Sequence, residues 1–252
     1  MIGNYKKLCT RFYDIDKPSP PPDEFAFYRD VLSEVHGPIL EPMCGSGRFL
    51  VPLLKQGFDI YGFDGSVDMI AACRNRLDGD ERVELATFES FESPTAFHAC
   101  IIPAGSFSLV ADAAAAKQAL VCIHRIMAPD GVCHIEVCGK PAKVSSDTDV
   151  SSRTVKTEAG TTLTVIEMAT YDKEQGVEAI HCHYIECTER SIVATESERY
   201  ELRRYGGSEF SAIAEASGFT LVNSVHNVFD SDTTIFTLEL DKAVKPSAIL
   251  AT

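Results

Sequence analysis

Nowhere does this 252-residue chain reach the roughly 18–20 consecutive apolar residues of a membrane span. Its opening, Met1-Ile-Gly-Asn-Tyr-Lys-Lys7, lacks the apolar core of a secretory signal. Basic residues are scarce: 23 Lys and Arg stand against 37 Asp and Glu, a formal net charge of −14. That balance argues against DNA or RNA, whose phosphates call for a Lys/Arg surface. A small ligand stays compatible with it. The nine cysteines, an odd count, include no Cys-x-x-Cys pair, which argues for reduced thiols and a cytoplasmic location. No Gly-x-x-x-x-Gly-Lys phosphate loop occurs either.

What is present concentrates in residues 38–48. Pro38-Ile-Leu-Glu41-Pro-Met43 is a short apolar run with one acid, and it empties into Cys44-Gly45-Ser46-Gly47 just before a helical pattern. Strand, glycine turn and helix N-terminus together let a ligand approach bare backbone N–H groups. The next apolar run, Phe58 to Asp64, ends on an acid 19 positions after Gly45 (64 − 45), where a nucleotide ribose presents its hydroxyls. The two features point to a nucleoside cofactor. A dinucleotide would need a third glycine three positions after Gly47, and that position is Leu50. The loop therefore suits a nucleoside without a pyrophosphate.

Length and an apolar content of 45% fit one large α/β domain with an elaboration, or two small ones. Lys17-Pro-Ser-Pro-Pro-Pro22 reads as a stiff linker, and a helix follows through Glu34. Apolar runs then alternate with helical patterns, predicting strands at 38–43, 58–64, 82–87, 97–103 and 132–138, with helices at 47–56, 66–77 and 112–127. Such alternation means βαβ crossovers and a parallel sheet. After Gly139 the pattern changes: Lys140 to Arg153 reads as a loop, and Thr161–Tyr171, Val177–Cys187 and Ile192–Tyr205 show period-2 alternation. A helix from Ser208, taken as its N-cap, to Gly218 precedes a last pair of strands at 219–229 and 233–240.

Glu41-Pro-Met-Cys-Gly-Ser-Gly47 resembles motif I of class I S-adenosylmethionine-dependent methyltransferases. Asp64-Gly-Ser66 with Met69 is similar to that family's Asp-x-Ser-x-x-Met, and Ala128-Pro-Asp-Gly131 to its Leu-x-Pro-Gly-Gly turn, with Asp130 in place of a glycine. The resemblance implies an α/β fold: a Rossmann-like parallel sheet closed by an antiparallel hairpin, helices on both faces, plus an inserted antiparallel β segment. It divides the chain into a lid arm and linker (1–22), an S-adenosylmethionine-binding domain (23–150 and 206–241) and an insertion (151–205) that roofs the substrate or joins two copies in a homodimer.

The resemblance also implies site residues. Cys44, Gly45, Ser46 and Gly47 would contact the methionine portion of the cofactor, with Glu41 holding its amino group; Asp64 would take the ribose, and Gly65 and Met69 would flank the adenine. On the third strand the family often has an acid where this chain has Thr87; Thr87 and Phe88 would then serve the adenine, with Glu89 as a substitute acid. At the fourth strand Ile102 and Ala104 would border the cofactor, and Ser106 and Phe107 the substrate. No Asn/Asp-Pro-Pro-Tyr/Phe amine grip occurs there, which disfavours nucleic-acid bases and suits a small molecule. Tyr13 lies in Tyr5-Lys-Lys-Leu-Cys-Thr-Arg-Phe-Tyr-Asp14, similar to the lid of small-molecule members; it is the candidate for closing over the cofactor, meeting the substrate and, weakly, catalysis. Arg204, with Arg199, Arg203 and Tyr205, would read an acidic or phenolic substrate, or else belong to a solvated sheet edge.

No metal is expected: His181 and His183 share a strand face, but Cys182 points away and no further ligand is suitably spaced. The function implied is methyl transfer from S-adenosylmethionine to a small-molecule acceptor, with no nucleic acid or membrane partner. The alternatives are an NAD(P)-dependent oxidoreductase, or a non-catalytic relic that binds cofactor or partner without transfer.

Overall fold

The computed structural model describes residues 5–140, 148–229 and 231–242. The chain opens with two helices, α1 (Lys7–Asp16) and α2 (Pro22–Leu32), and α2 starts on its proline with Asp23 and Glu24 in the first turn. Strands and helices then alternate: β1 (Ile39–Pro42), α3 (Leu50–Lys55), β2 (Ile60–Asp64), α4 (Val67–Arg76), β3 (Val83–Leu85), β4 (Phe97–Ile102), α5 (Ala113–Ile126) and β5 (Met127–Cys138). The side chains of Ser66 and Asp112 cap α4 and α5 by accepting from the N–H groups of Met69 and Ala115.

A four-stranded meander follows, β6 (Asp149–Lys156), β7 (Thr162–Asp172), β8 (Val177–Cys187) and β9 (Ile192–Arg203); α6 (Gly207–Glu215), β10 (Phe219–Val228) and β11 (Thr233–Leu240) finish the fold. The main sheet has seven strands in the order β10-β11-β5-β4-β1-β2-β3, parallel from β5 to β3, with β11 antiparallel to both β5 and β10. The meander is a separate antiparallel sheet. This is the expected α/β architecture with its terminal hairpin and β insertion.

Two apolar layers sandwich the main sheet. One gathers Phe107, Leu120, Phe210 and Phe236; the other gathers Tyr28, Phe49, Leu50 and Ile60. Each such fully buried large side chain contributes about 1.5–3 kcal/mol. A smaller core joins Leu8, Cys9 and Phe12 of α1 to Leu163, Val165, Cys182 and Tyr184 of the meander.

Three local readings need correction, and the N-terminal arm, to which no secondary structure was assigned, acquires one. The arm around Tyr13 is helical, yet α1 has neither a side-chain cap of its own nor an acid in its first turn. The missing cap comes from β9: Glu198 accepts from the N–H groups of Tyr5 and Lys6 at 3.0 and 2.5 Å, and Glu196 from those of Leu8 and Cys9 at 3.2 and 2.9 Å. Part of the segment read as a loop, Lys140 to Arg153, is strand; β6 is an edge strand exposed along nearly its whole length, so it shows no apolar alternation. Residues 141–147 of that segment lie outside the described residues. β5 begins at Met127, because pairing with β4 starts there and resumes at Val132, with Ala128–Gly131 accommodated as an irregularity. Finally, α6 is capped at Gly206, whose N–H donates to Glu209 Oε2 at 3.3 Å, not at Ser208.

Candidate active site

A cavity of about 460 Å³ opens at the carboxyl ends of the parallel strands, where the strand order reverses between β1 and β4. Loops after β1, β2, β3 and β4 form its floor and sides. Tyr5 and Tyr13 of the N-terminal arm and Arg199, Tyr200 and Glu201 of β9 complete the wall, so residues from the insertion face the same space as the glycine turn. Tyr5 stacks on Tyr200 with ring centroids 6.0 Å apart.

The backbone bordering this space is unusual. Tyr5, Met43 and Ala104 line the cavity and hold positive φ of 58°, 57° and 59° although none is glycine. Such conformations cost about 1–3 kcal/mol each and gather at ligand sites, where the surroundings enforce them. Gly45 also has positive φ and lines the cavity. Gly47 does different work: at φ 81° it packs inward, where a Cβ would stand 2.7 Å from Cys73 Sγ and 2.8 Å from Val51 Cγ2.

Asp64 ties the turn together. Its Oδ2 accepts from Gly45 N–H at 2.9 Å and its Oδ1 from Ser66 N–H at 2.8 Å, and each oxygen keeps a further lone pair. Burial pushes its carboxyl upward, against the pull of those two bonds. Glu41 is more extreme. It is 3% exposed, burial drives its carboxyl well above the ordinary range, and Oε2 has no hydrogen-bond partner. Arg48, which directly follows the turn, has an equally unpartnered Nε. Its guanidinium lies 3.8 Å from Glu24 and over the rings of Tyr13 and Phe49, at 5.8 and 5.2 Å from their centroids. A buried acid and a largely covered cation, each with an empty bonding position, therefore line one cavity.

Of the residues singled out from the sequence, the cavity brings together Tyr13, Glu41, Cys44, Gly45, Asp64, Gly65, Met69, Thr87, Phe88, Ala104 and Ser106, with Glu89 beside them. Five others lie away from it. Ser46 donates to Asp14 Oδ1 at 2.5 Å, and Gly47 packs on α4 as described. Ile102 and Phe107 are fully buried in the core, because side chains on the last turn of β4 and the short helix after it point to the sheet layer behind the wall. Arg204 is taken up by an ion pair with Glu178 of β8. Arg48, Tyr5, Met43, Tyr200 and Glu201 were not anticipated at the site, whereas Arg199, read as one possible substrate contact, does line the cavity. Arg48 was the legible one, since it directly follows the glycine turn.

Among the described residues, no group of three or more His, Cys, Asp or Glu is placed to hold a metal. His183 Nδ1 lies 2.8 Å from Ser197 Oγ on the meander. No helix among them is long and apolar enough to cross a membrane.

Comparison with known proteins gives a consistent picture. Residues 39–131 match the methyltransferase-domain family. No curated protein matches the sequence. Among solved structures, the sugar N-methyltransferase KedS8 from a Streptoalloteichus species superposes with a TM-score of 0.79 at 20% identity, covering 94% of each chain. DesVI of Streptomyces venezuelae gives 0.76 at 18% identity, over 94% of this chain and 100% of its own. CalS10, a Micromonospora echinaspora amino pentose methyltransferase determined with S-adenosylmethionine bound, gives 0.72 at 19% identity, over 95% and 99%. At these identities the likeness speaks for the fold. The chain thus has the fold of the class I S-adenosylmethionine-dependent methyltransferases, with the match to the methyltransferase-domain family confined to residues 39–131.

Proposed function

We propose that the protein is an S-adenosylmethionine-dependent methyltransferase acting on a small-molecule acceptor. The observation that carries this reading is the pair of orphaned polar groups at the glycine turn. Glu41 Oε2 and Arg48 Nε are both buried, unpartnered and on the cavity wall. A ligand carrying an ammonium and a carboxylate satisfies both at once, as an amino-acid moiety does. The residues present therefore fit the cofactor. Glu41 holds its amino group and Arg48 its carboxylate. The open lone pairs of Asp64 take the ribose hydroxyls, while Gly65, Met69, Thr87 and Phe88 surround the adenine.

A dinucleotide is a poor fit. Leu50, where a third glycine would be needed, is fully buried at the start of α3.

When bound, the cofactor supplies a methyl group on a sulfonium, reactive enough that the protein need not add covalent chemistry. The chain's work is placement and exclusion of water. Pro103, Ala104 and Ser106 serve as the acceptor wall, and Asp112, Arg199, Glu201 and Tyr13 of α1 line the same cavity. Arg199 pairs with Glu201 there at 2.7 Å, and the activities named for KedS8 and CalS10 make amino sugars the first acceptors to try. Pairing of two copies through the meander belongs to the same proposal and is checked by sedimentation.

The test is a thermal-shift and calorimetric screen with S-adenosylmethionine, S-adenosylhomocysteine and NAD. S-adenosylhomocysteine at a hundred times its Kd should stabilise the protein by about 2.7 kcal/mol. Stabilisation by NAD with no response to S-adenosylhomocysteine would overturn the assignment.

A further inference from the structure

Behind the acceptor wall lies a second acidic cluster that the cofactor does not use. Glu24 of α2 and Glu136 of β5 are 5% and 3% exposed. Both accept from one donor: the Ala104 N–H reaches Glu24 Oε1 at 3.0 Å and Glu136 Oε2 at 3.1 Å. Two carboxyl groups crowding a single N–H in a buried site cannot both be ionised without strong repulsion. Arg48, 3.8 Å from Glu24 Oε2, can balance one negative charge only. The other groups facing the pair do not balance the second. Tyr28 of α2 donates its hydroxyl to Glu136 Oε2 at 3.3 Å, and Thr233 of β11 also bonds Glu136. Asp23 adds negative charge, Glu41 is a further buried acid facing Glu24, and His134 on the same strand is kept neutral by burial.

We propose that Glu24 and Glu136 share one proton and act as positioning residues for the turn at 103–106, which shapes the wall where the acceptor docks. The turn needs such a clamp. Ala104 is held at φ 59°; the turn's own bonds run from Ser106, whose N–H and Oγ donate to Pro103 O at 3.1 and 2.8 Å, and from Ser108 N–H to Gly105 O at 3.0 Å, and none of them holds the Ala104 N–H. The pair fixes the Ala104 N–H from behind and joins three separate segments, α2, β4 and β5, at one point. That the wall faces an acceptor rests on the methyltransferase reading; the carboxyl clamp itself does not.

The test is hydrogen exchange at the Ala104 amide in the full chain, without ligand, after correction for the intrinsic rate. Burial and the Glu24 charge push Glu136 up to about 8, so the shared proton leaves above that pH. Protection should then fall by about tenfold per pH unit, following the protonated fraction. Glu136→Gln, which keeps a donor where the proton sits, should show protection that is flat with pH. Glu136→Ala should lose protection at every pH; if it does not fold, the comparison of wild type with Glu136→Gln still decides. Identical pH profiles for wild type and Glu136→Gln would overturn the proposal. S-adenosylhomocysteine binding is measured on the same samples: if wild type fails to bind it, the methyltransferase reading falls while the exchange result still judges the clamp.

Discussion

Individual residues at the cavity are held in arrangements shaped for a ligand, so stability and ligand affinity respond separately to substitutions there. Glu41 is a buried carboxylate with an unsatisfied oxygen. Glu41→Gln should leave the melting temperature of the free protein near that of wild type, because the amide replaces a carboxyl whose neutral form burial already favours. The same change should weaken S-adenosylhomocysteine by about ten- to hundredfold, the worth of a charge-assisted bond to the ligand's ammonium. Asp64→Ala should behave differently. It removes the acceptor of Gly45 and Ser66 N–H as well as the ribose partner, so affinity and stability should fall together. Calorimetry and thermal melts on the two variants check this contrast. Parallel behaviour of the pair would mean that Glu41 is an ordinary structural acid.

At the scale of elements, α1 is the part of the fold most dependent on distant support. Its exposed N–H groups are capped by Glu196 and Glu198 of β9, Arg11 binds Glu186 of β8 through two bonds of 2.7 and 2.9 Å, and Tyr184 donates to Cys9 Sγ at 3.1 Å. A side-chain cap is typically worth about 1 kcal/mol, so Glu196→Gln with Glu198→Gln should loosen α1 without unfolding the main sheet. Limited proteolysis should then cut within residues 1–20 faster than in wild type. Because Tyr5 and Tyr13 sit on the cavity wall, adding S-adenosylhomocysteine should slow the cut in wild type. Cleavage that ignores both the substitutions and the ligand would show α1 to be packed independently of the site.

For the molecule as a whole, buried titratable groups set the pH range of stability. His134 of β5 is lowered to about 4 by burial, below its ordinary 6.5. Its folded value is depressed, so the stability it permits is present above pH 6.5 and is lost as pH falls through 4. Glu186 is held down to about 2 by Arg11 and Thr161, so its contribution is present above its ordinary 4.5 and disappears as pH drops through 2. Acid should therefore weaken the main sheet through His134 before it releases α1 through Glu186. Denaturant melts of wild type and His134→Gln should diverge below about pH 6.5, by at most roughly 1.4 kcal/mol per pH unit. Coincident stability curves across that interval would remove His134 as the acid-sensitive group.

The sequence by itself determined the parallel half of this protein and the character of its ligand loop. Apolar runs alternating with helical patterns, Gly45 and Gly47 after one strand and Asp64 at the end of the next are local signals, and local signals survive in the linear chain. The edge strand β6 escaped because an exposed edge has no buried face to impose alternation. The helical form of the N-terminal arm left no local signal, because its capping acids, Glu196 and Glu198, lie some 190 residues away. Only the tertiary structure showed that Phe107 and Ile102 belong to the core and Arg204 to an ion pair. It alone brought Tyr5, Arg48 and Tyr200 to one cavity and set Glu24 against Glu136 across 112 positions (136 − 24). The physical reason is the same throughout. Turn conformation and strand or helix pattern depend on neighbours in sequence, whereas burial, charge pairing and cavity shape depend on neighbours in space.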